Sequence, residues 1–148
     1  PVCLLLSRQN LPILEKADTA WQETITCGAY IVQDTAGTPD VTILATGSEV
    51  SLACEAARNA GNCKVRVVSV LSKELFEAQD DVFKNRITGG SGVRIIVAEA
   101  GIKQGWEHWT ATPDDIFSVD RFGESGPAKK VAEHLHFTAD ALTARIKK

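Results

Sequence analysis

Short apolar runs recur along the chain, and turn residues or stretches with helical spacing lie between them. Most of these runs are continuous rather than alternating, which is typical of strands buried on both faces of a parallel sheet. The pattern predicts strands at residues 2–6, 29–34, 41–45, 64–70, 93–98 and 116–119.

Helical segments follow several of these strands. One apolar helical face is predicted from four residues at helical spacing, namely Val50, Ala53, Ala57 and Ala60. In the turn before them we expect Thr46 or Ser48 to cap the helix and Glu49 to reach back. A short helix after Ser72 and a final helix after Thr138 are predicted from the same capping chemistry.

The alternation of strands and helices implies right-handed crossovers and helices on both faces of the sheet. The predicted fold class is therefore α/β, with a three-layer, Rossmann-like, mostly parallel sheet. Residues 28–148 are interpreted as one such domain, and residues 1–27 as the end of a preceding domain followed by a linker. The chain has no methionine and the strand at 2–6 has no sequence before it to cover it, so we expect a fragment of a larger protein.

Composition and charge narrow the classes of function. The 148 residues include 16 Lys and Arg against 19 Asp and Glu, a formal net charge of −3, so no nucleic-acid partner is expected. No apolar run approaches the roughly 20 residues that cross a bilayer, so no membrane partner is expected. Four cysteines without metal-ligand spacing indicate reduced thiols and a cytoplasmic location.

Two turns are candidate anion sites. The turn at 46–49 opens a predicted helix, whose first N–H groups favour negative charge, and the turn at 89–92 is rich in glycine. Neither has the glycine spacing of the nucleotide-binding motifs, and Glu49 would repel a phosphate. We favour a capped helix start and a plain turn, with a small-anion site at 46–49 as the alternative.

The histidines and carboxylates do not form a recognisable catalytic group. His134 lies among charged residues and is expected to be solvated. His108 lies between Trp106 and Trp109. We favour a core or rim histidine at this position, and the alternative is that the cluster lines a pocket or an interface. Three carboxylates have spacings that fix no catalytic pair, namely Glu99, Glu107 and Asp120. No catalytic residue is therefore predicted.

Arg8 directly follows the predicted strand at 2–6 and would emerge at the carboxyl edge of a parallel sheet, where ligands bind. Its guanidinium suits a tetrahedral oxyanion through a rigid fork of donors. Residue chemistry alone does not separate this role from an ion pair with a nearby carboxylate.

Five dispersed segments resemble the transketolase family in order and spacing. They are LSRQNLP at 6–12, GAYIVQD at 28–34, ATGSEV at 45–50, VAEAG at 97–101 and DRFGESGPA at 120–128. The string SRQNLP resembles transketolases rather than other thiamine diphosphate enzymes with the same domain plan. His136 departs from the family, which usually has Gly before the closing Phe-Thr pair, and residues 113–115 and 89–92 are not family signatures.

The resemblance implies the C-terminal domain of a transketolase, preceded by the last strand and linker of the pyrimidine-binding domain. Family ligands for thiamine diphosphate and its Mg (or Ca) ion lie in the other two domains, so no cofactor, no metal and no isolated activity are expected here. Arg8 takes the position of the arginine that holds the sugar phosphate. The implied reaction is transfer of a two-carbon ketol unit between sugar phosphates of the pentose phosphate pathway, by a homodimer.

Two hypotheses from different classes follow. In the first, the chain is the scaffold domain of an enzyme and contributes Arg8, with dimer contacts expected at residues 106–109 and 122–126. In the second, it is a free-standing regulatory module that binds a small anion at 46–49.

Overall fold

The computed structural model describes residues 3–7 and 9–148. Their helices and strands, in chain order, are α1 (Trp21–Thr24), β1 (Ala29–Gln33), β2 (Val41–Ala45), α2 (Glu49–Arg58), β3 (Val65–Val70), α3 (Lys73–Glu77), α4 (Asp81–Thr88), β4 (Arg94–Glu99), β5 (Ile116–Ser118), α5 (Ala128–His134) and α6 (Ala139–Ile146). Short 3₁₀ turns occupy Ile25–Cys27, Glu107–Trp109 and Pro113–Asp115. Within the described ranges, no helix is long and apolar enough to cross a bilayer.

The strands form one sheet in the order β1-β3-β2-β4-β5. β3, β2, β4 and β5 run parallel, and β1 pairs antiparallel with β3 at the outer edge. Ile43 in the central strand is paired with Val67 on one side and Ile96 on the other, so β-branched neighbours fill the middle of the sheet. The predicted α/β fold with a mostly parallel sheet is confirmed.

Helices cover both faces of this sheet and produce the predicted three layers. On one face α2 and α6 pack against the strands, and Phe137 stacks on Phe117 with 4.6 Å between ring centres. The other face buries Phe76 of α3, Ile87 of α4 and the ring of Trp106. The sheet is therefore buried on both sides, which explains its continuous apolar strands.

Side chains cap three of the helices. Ser72 and Thr138 each accept a backbone N–H bond of 3.2 Å from the residue three positions on, so both predicted caps are confirmed. Asp80 caps α4 in the same way, at 2.7 Å. The helix α4 has no counterpart in the sequence prediction, because its only buried residues are Ile87 and Thr88 at its very end and they form no apolar stripe.

The N-terminal segment departs from the prediction. Residues 3–7 form no strand, and the side chains of Leu4, Leu5 and Leu6 are largely exposed. The buried strand predicted at 2–6 is therefore wrong for the described part of this chain; Val2 lies outside the described residues. An apolar run forms a buried strand only beside another strand that completes its hydrogen bonds, and the described sheet does not pair with it.

The stretch that follows lies against the domain. The N–H groups of Ala17 and Asp18 donate to two carbonyls of β1 at 3.0 and 3.1 Å. The Asp18 carboxylate accepts a bond from Thr24 Oγ1, at the end of α1, at 2.8 Å. Thr24 is itself buried, so this part of the chain is anchored by packing as well as by hydrogen bonds.

Arginines hold the amino edge of the parallel strands. Arg66 pairs with Asp34 at 2.8 Å and donates to the last carbonyls of α4. Arg94 pairs with the buried carboxylate of Asp115 at 2.6 Å and donates to the last carbonyls of α6. Because the carbonyls at a helix C-terminus lack partners within the helix, these guanidinium groups fasten two helix ends to the strand starts.

Candidate functional site

The candidate site lies at the opposite, carboxyl edge of the sheet. From β2 the chain crosses to β3 on one side, and from β3 it returns past β2 to β4, so the strand order reverses between β2 and β4. Open α/β sheets bind ligands in the crevice at such a reversal. Thr46 follows β2 and donates through Oγ1 to Glu99 Oε2, at the end of β4, at 3.1 Å.

The helix α2 begins at this crevice without the expected cap. Ser48 Oγ donates to Glu49 Oε1 at 2.6 Å, and its side chain accepts no N–H of the first turn. The prediction that Thr46 or Ser48 caps α2 is wrong: both hydroxyls donate to carboxylates, and Ser48 has a helical backbone, with φ −67° and ψ −25°, instead of the extended backbone of a capping residue.

The two carboxylates make this edge unfavourable for an anion. Burial raises the pKa of Glu49, and the charge of Glu99 raises it further, while the Ser48 hydroxyl lowers it. A bound phosphate would add negative charge beside both carboxylates. The structure therefore does not favour the small-anion alternative at 46–49.

The described residues do not fit thiamine diphosphate or its metal ion either. A diphosphate at the start of α2 would meet Glu49 and Glu99. In the ranges 3–7 and 9–148, no group of three or more His, Cys, Asp and Glu side chains could hold a metal ion. All four cysteines are free thiols. No chemical step of these groups can be assigned to this part of the chain.

A groove of about 470 Å³ adjoins the crevice, between α2, α5 and the loop after β5. Its main apolar lining residues are Leu52, Val119, Val131, Leu135 and Phe137. Its main polar lining residues are Gln9, Ser48, Glu49, Arg121 and Glu124. The groove thus combines a mostly apolar wall with polar groups of both charges.

Side-chain contacts link the loop after β5 to α5 on one side of the groove. Glu124 Oε1 accepts a bond from Arg121 Nη2 at 3.0 Å and lies 3.2 Å from His134 Nε2. Arg121 and Glu124 belong to the loop after β5, and His134 belongs to α5. The predicted exposure of His134 is confirmed, and its contact with Glu124 ties that loop to α5.

His108 and the two tryptophans divide between surface and core. Trp106 is buried, and Trp109 stacks on Phe76 with 4.7 Å between ring centres. His108 Nε2 lies 2.9 Å from Glu77 Oε1, which also accepts a bond from Trp109 Nε1 at 3.3 Å. His108 is therefore an exposed rim histidine, and with Trp109 it also lines a cavity of about 560 Å³, so the rim favoured from the sequence and the pocket kept as the alternative are both found. The contact surface expected at this segment is wrong for Trp106, whose ring lies in the core.

The glycine-rich turn at 89–92 serves to end α4. Gly89 adopts a φ of 95°, and its N–H donates to the carbonyl of Asn85 at 2.8 Å. A left-handed glycine of this kind closes many helices. The predicted turn is confirmed, and its residues Gly90, Ser91 and Gly92 also line a cavity of about 560 Å³.

Arg8, the predicted phosphate-binding residue, lies outside the described residues, and its role stays a prediction. Its neighbour Gln9 lines the groove at the carboxyl edge. The contact of Glu99 with Thr46 was not expected from the sequence, because the two residues are 53 positions apart and no local pattern links them.

Comparisons with known proteins give a consistent result. The family described as "Transketolase-like TK C-terminal domain" matches residues 28–138. The transketolase of Treponema pallidum is 52% identical to this chain over 99% of the chain and 22% of its own length. The chain thus spans 22% of the length of this curated relative, and the same share of a transketolase from Halalkalibacterium halodurans.

Solved structures agree with these sequence matches. A transketolase from Leishmania mexicana superposes with a TM-score of 0.81 and 33% identity, over 93% of this chain and 19% of that one. A transketolase from Pichia stipitis, in complex with sedoheptulose-7-phosphate, gives a TM-score of 0.82 and 32% identity, over 94% and 20%. The same domain architecture therefore occurs in proteins about five times as long.

Proposed function

Because this chain belongs to the family of transketolase-like C-terminal domains, we propose that it acts as the C-terminal domain of a transketolase. The observation that carries the proposal is the match over 99% of this chain to only 22% of a curated transketolase. The proposed activity of the whole enzyme is transfer of a two-carbon ketol unit from a ketose phosphate to an aldose phosphate. The sugar phosphate bound to the Pichia stipitis relative supports this substrate class.

In this proposal the chain contributes scaffold, subunit contacts and one substrate-binding residue. Arg8 holds the phosphate of the sugar, because a guanidinium offers several charge-assisted bonds to a tetrahedral oxyanion. Its neighbour Gln9 lies in the groove at the carboxyl edge, the edge at which α/β sheets bind ligands. The proposal also includes a homodimer, a cytoplasmic location and a place in the pentose phosphate pathway.

Thiamine diphosphate and Mg (or Ca) belong to the rest of the proposed enzyme. When bound there, the cofactor supplies the carbanion chemistry of ketol transfer. The poor fit of the described residues to both groups supports this division. We therefore propose that the chain alone neither binds thiamine diphosphate nor transfers ketol units. Calorimetric binding of the cofactor to this chain at micromolar concentration, with Mg²⁺ present, would contradict this proposal.

The test of Arg8 uses a transketolase that contains this chain. Arg8→Ala is expected to raise KM for phosphorylated sugars more than it lowers kcat, because a remote phosphate is bound similarly in the ground and transition states. Loss of a charge-assisted hydrogen bond costs about 1.5–3 kcal/mol, which corresponds to roughly 10- to 150-fold in kcat/KM. Steady-state kinetics with a ketose phosphate donor measure it.

Two controls separate phosphate binding from a structural role. Arg8→Lys is expected to recover only part of the loss, since an ammonium keeps the charge but lacks the planar fork. A ketose without phosphate is expected to react almost equally well with the wild type and with Arg8→Ala. An equal fall in kcat/KM for both substrates would show that Arg8 is structural.

A further inference from the structure

A cavity of about 560 Å³ lies on the face of the sheet that α3 and α4 cover, and we call it the α4 cavity. It is lined by the end of α3, by α4, by residues 90–93, by Ile95 of β4 and by the turn at Glu107–Trp109. Thr42, the neighbour of Ile95 in the sheet, is fully buried and donates to the carbonyl of Thr88 in α4 at 2.7 Å. Ile95 is only half-buried, so the helical cover ends between these two strands.

Contacts within the domain fix the indole that forms one wall of the α4 cavity. Trp109 stacks on the buried ring of Phe76, with an angle of 3° between the two planes. The backbone N–H of Trp109 donates to the carbonyl of Trp106 at 3.0 Å, and its Nε1 donates to Glu77 Oε1 at 3.3 Å. The indole is therefore held in one orientation before any ligand arrives, which lowers the entropy cost of binding. The volume of the cavity is also within the range usual for small-molecule sites.

Glu77 offers an acceptor oxygen beside this indole. Its Oε1 receives the bond from Trp109 and lies 2.9 Å from His108 Nε2. Among the described residues, Oε2 of the same carboxylate has no hydrogen-bond or ion-pair partner. Since an ionised carboxylate has about four acceptor positions, an incoming N–H donor would find free acceptor positions at Glu77.

Negative charge prevails among the side chains of the α4 cavity. With His108 counted as neutral, the carboxylates of Glu77 and Asp81 stand against the ammonium of Lys84. Lys84 Nζ lies 3.1 Å from Asp81 Oδ1, so the charge of Lys84 is compensated within α4 and that of Glu77 is not. A cation is attracted both by this carboxylate and by the face of an indole. The charges of the cavity therefore favour a cationic ligand over an anionic one.

Apolar surface adjoins these groups and suits the rest of such a ligand. Val93 and Ile95 are half-buried and line the cavity together with Trp109. An alkyl or aromatic body that covers them removes apolar surface from water on both partners, which is favourable. A molecule that carries an ammonium group on an apolar body therefore matches both parts of the cavity.

We propose that the α4 cavity binds a small organic ammonium compound. Its ammonium group bonds the carboxylate of Glu77 beside the indole of Trp109, and its apolar body covers Val93 and Ile95. The proposal goes beyond the proposed function and does not depend on it, because no step of ketol transfer is assigned to these residues.

Three probes of matched shape test the class of ligand on the 148-residue chain. Phenethylamine, 2-phenylethanol and 3-phenylpropionate carry an ammonium, a hydroxyl and a carboxylate on the same phenylethyl body. Binding is followed by nuclear magnetic resonance of the indole N–H groups of the three tryptophans. Trp109→Phe and Trp21→Phe assign two of these signals. Trp21 is the internal control, because it lies in α1 and does not line the cavity.

Phenethylamine is expected to move the Trp109 signal, to leave the Trp21 signal in place and to bind at least about fivefold more tightly than the other two probes. Equal affinities for the three probes would overturn the proposal. Tighter binding of 3-phenylpropionate would also overturn it, because the site would then select anions through Lys84. The absence of any movement of the Trp109 signal at millimolar phenethylamine would do the same.

A substitution that keeps the shape of the site tests the role of the carboxylate. Glu77→Gln is expected to weaken phenethylamine binding about two- to fivefold, as for an exposed ion pair, and to leave 2-phenylethanol binding unchanged. Glu55→Gln is the matched control, because Glu55 is an exposed carboxylate of α2 that does not line the cavity, and it is expected to bind both probes like the wild type. Circular dichroism checks that each variant is folded. An unchanged affinity of Glu77→Gln for phenethylamine would contradict the assignment of the ammonium group to Glu77.

Discussion

Gly28 lies at a point where the chain has room for no other side chain. It ends the first 3₁₀ turn with a φ of 90°, and a Cβ at this position would lie 2.5 Å from the carbonyl oxygen of Ser72 and 2.6 Å from the backbone nitrogen of Phe76. The carbonyl of Gly28 also accepts bonds from Leu71 and Ser72 at 2.8 and 3.1 Å. Gly28→Ala therefore forces two backbone segments apart.

The size of the effect follows from two separate costs. A left-handed backbone costs a non-glycine residue about 1–2 kcal/mol. Inserting a methyl group into a packed region costs about 1–3 kcal/mol, and here the opposing atoms belong to the backbone, which yields less easily than a side chain. We expect Gly28→Ala to lower the free energy of unfolding by about 2–5 kcal/mol, a large share of the 5–15 kcal/mol typical of a domain.

Urea unfolding of the 148-residue chain, followed by circular dichroism, measures this loss. Gly90→Ala is the matched control, because Gly90 has a φ of 96° and a Cβ there would meet nothing within 4 Å. It carries the cost of the left-handed backbone without the cost of the contact, so we expect a loss of only about 1–2 kcal/mol. Equal losses in the two variants would refute the argument from close approach at Gly28.

Two further substitutions are expected to stabilise the chain, and each has a control. His136 has a φ of 55° in the position after α5 that favours glycine. His136→Gly is therefore expected to raise the free energy of unfolding by about 0.5–1 kcal/mol. The control His134→Gly, inside the helix, is expected to lower it by a similar amount. Burial raises the pKa of Glu49 above its ordinary 4.5. The folded state therefore binds a proton at Glu49 more tightly than the unfolded state does. As a result, the free energy of unfolding falls as the pH rises above 4.5 towards the raised pKa. Glu49→Gln is expected to remove this fall in urea titrations and to raise stability at pH 7; exposed Glu55→Gln, on the same helix, is expected to leave the fall in place.

The departure of His136 from the family pattern has a physical explanation in the structure. Its N–H donates to the carbonyl of Glu133 at 3.1 Å, and the N–H of Phe137 donates to that of Ala132 at 2.8 Å. This is the Schellman arrangement, which requires a left-handed residue where His136 stands. The glycine expected from the resemblance therefore reflects backbone geometry, and here a histidine adopts the same conformation.

Local sequence predicted the five strands of the sheet and two helix caps, because those features depend on neighbouring residues, but it also predicted a strand at 2–6 that residues 3–7 do not form. The strands at 41–45 and 116–119 were predicted from their own apolar residues alone. The caps at Ser72 and Thr138 were predicted from the capping residue itself, which bonds the N–H group three positions on. The antiparallel direction of β1 could not be predicted from local sequence, because it depends on pairing with β3, whose residues lie about 40 positions later.

The missing side-chain cap of α2 could not be predicted from the neighbouring residues. The sequence at 46–49 contains the right residue types, but the structure brings Glu99 within 3.1 Å of the Thr46 hydroxyl, and Ser48 is drawn to Glu49. A hydroxyl that donates to a carboxylate keeps its lone pairs for an N–H, so these bonds alone do not prevent capping. Ser48 has a helical φ of −67° and ψ of −25°, whereas a capping residue has an extended backbone, and a single sequence does not reveal that conformation.

The same two carboxylates explain why the start of α2 does not favour a bound anion. A helix start at a strand-order reversal normally offers positive potential to a phosphate. In this chain Glu49 and Glu99 occupy that position and satisfy the nearby hydroxyls from within the domain. What the carboxyl edge still presents is apolar surface, at Ile102 and Phe122.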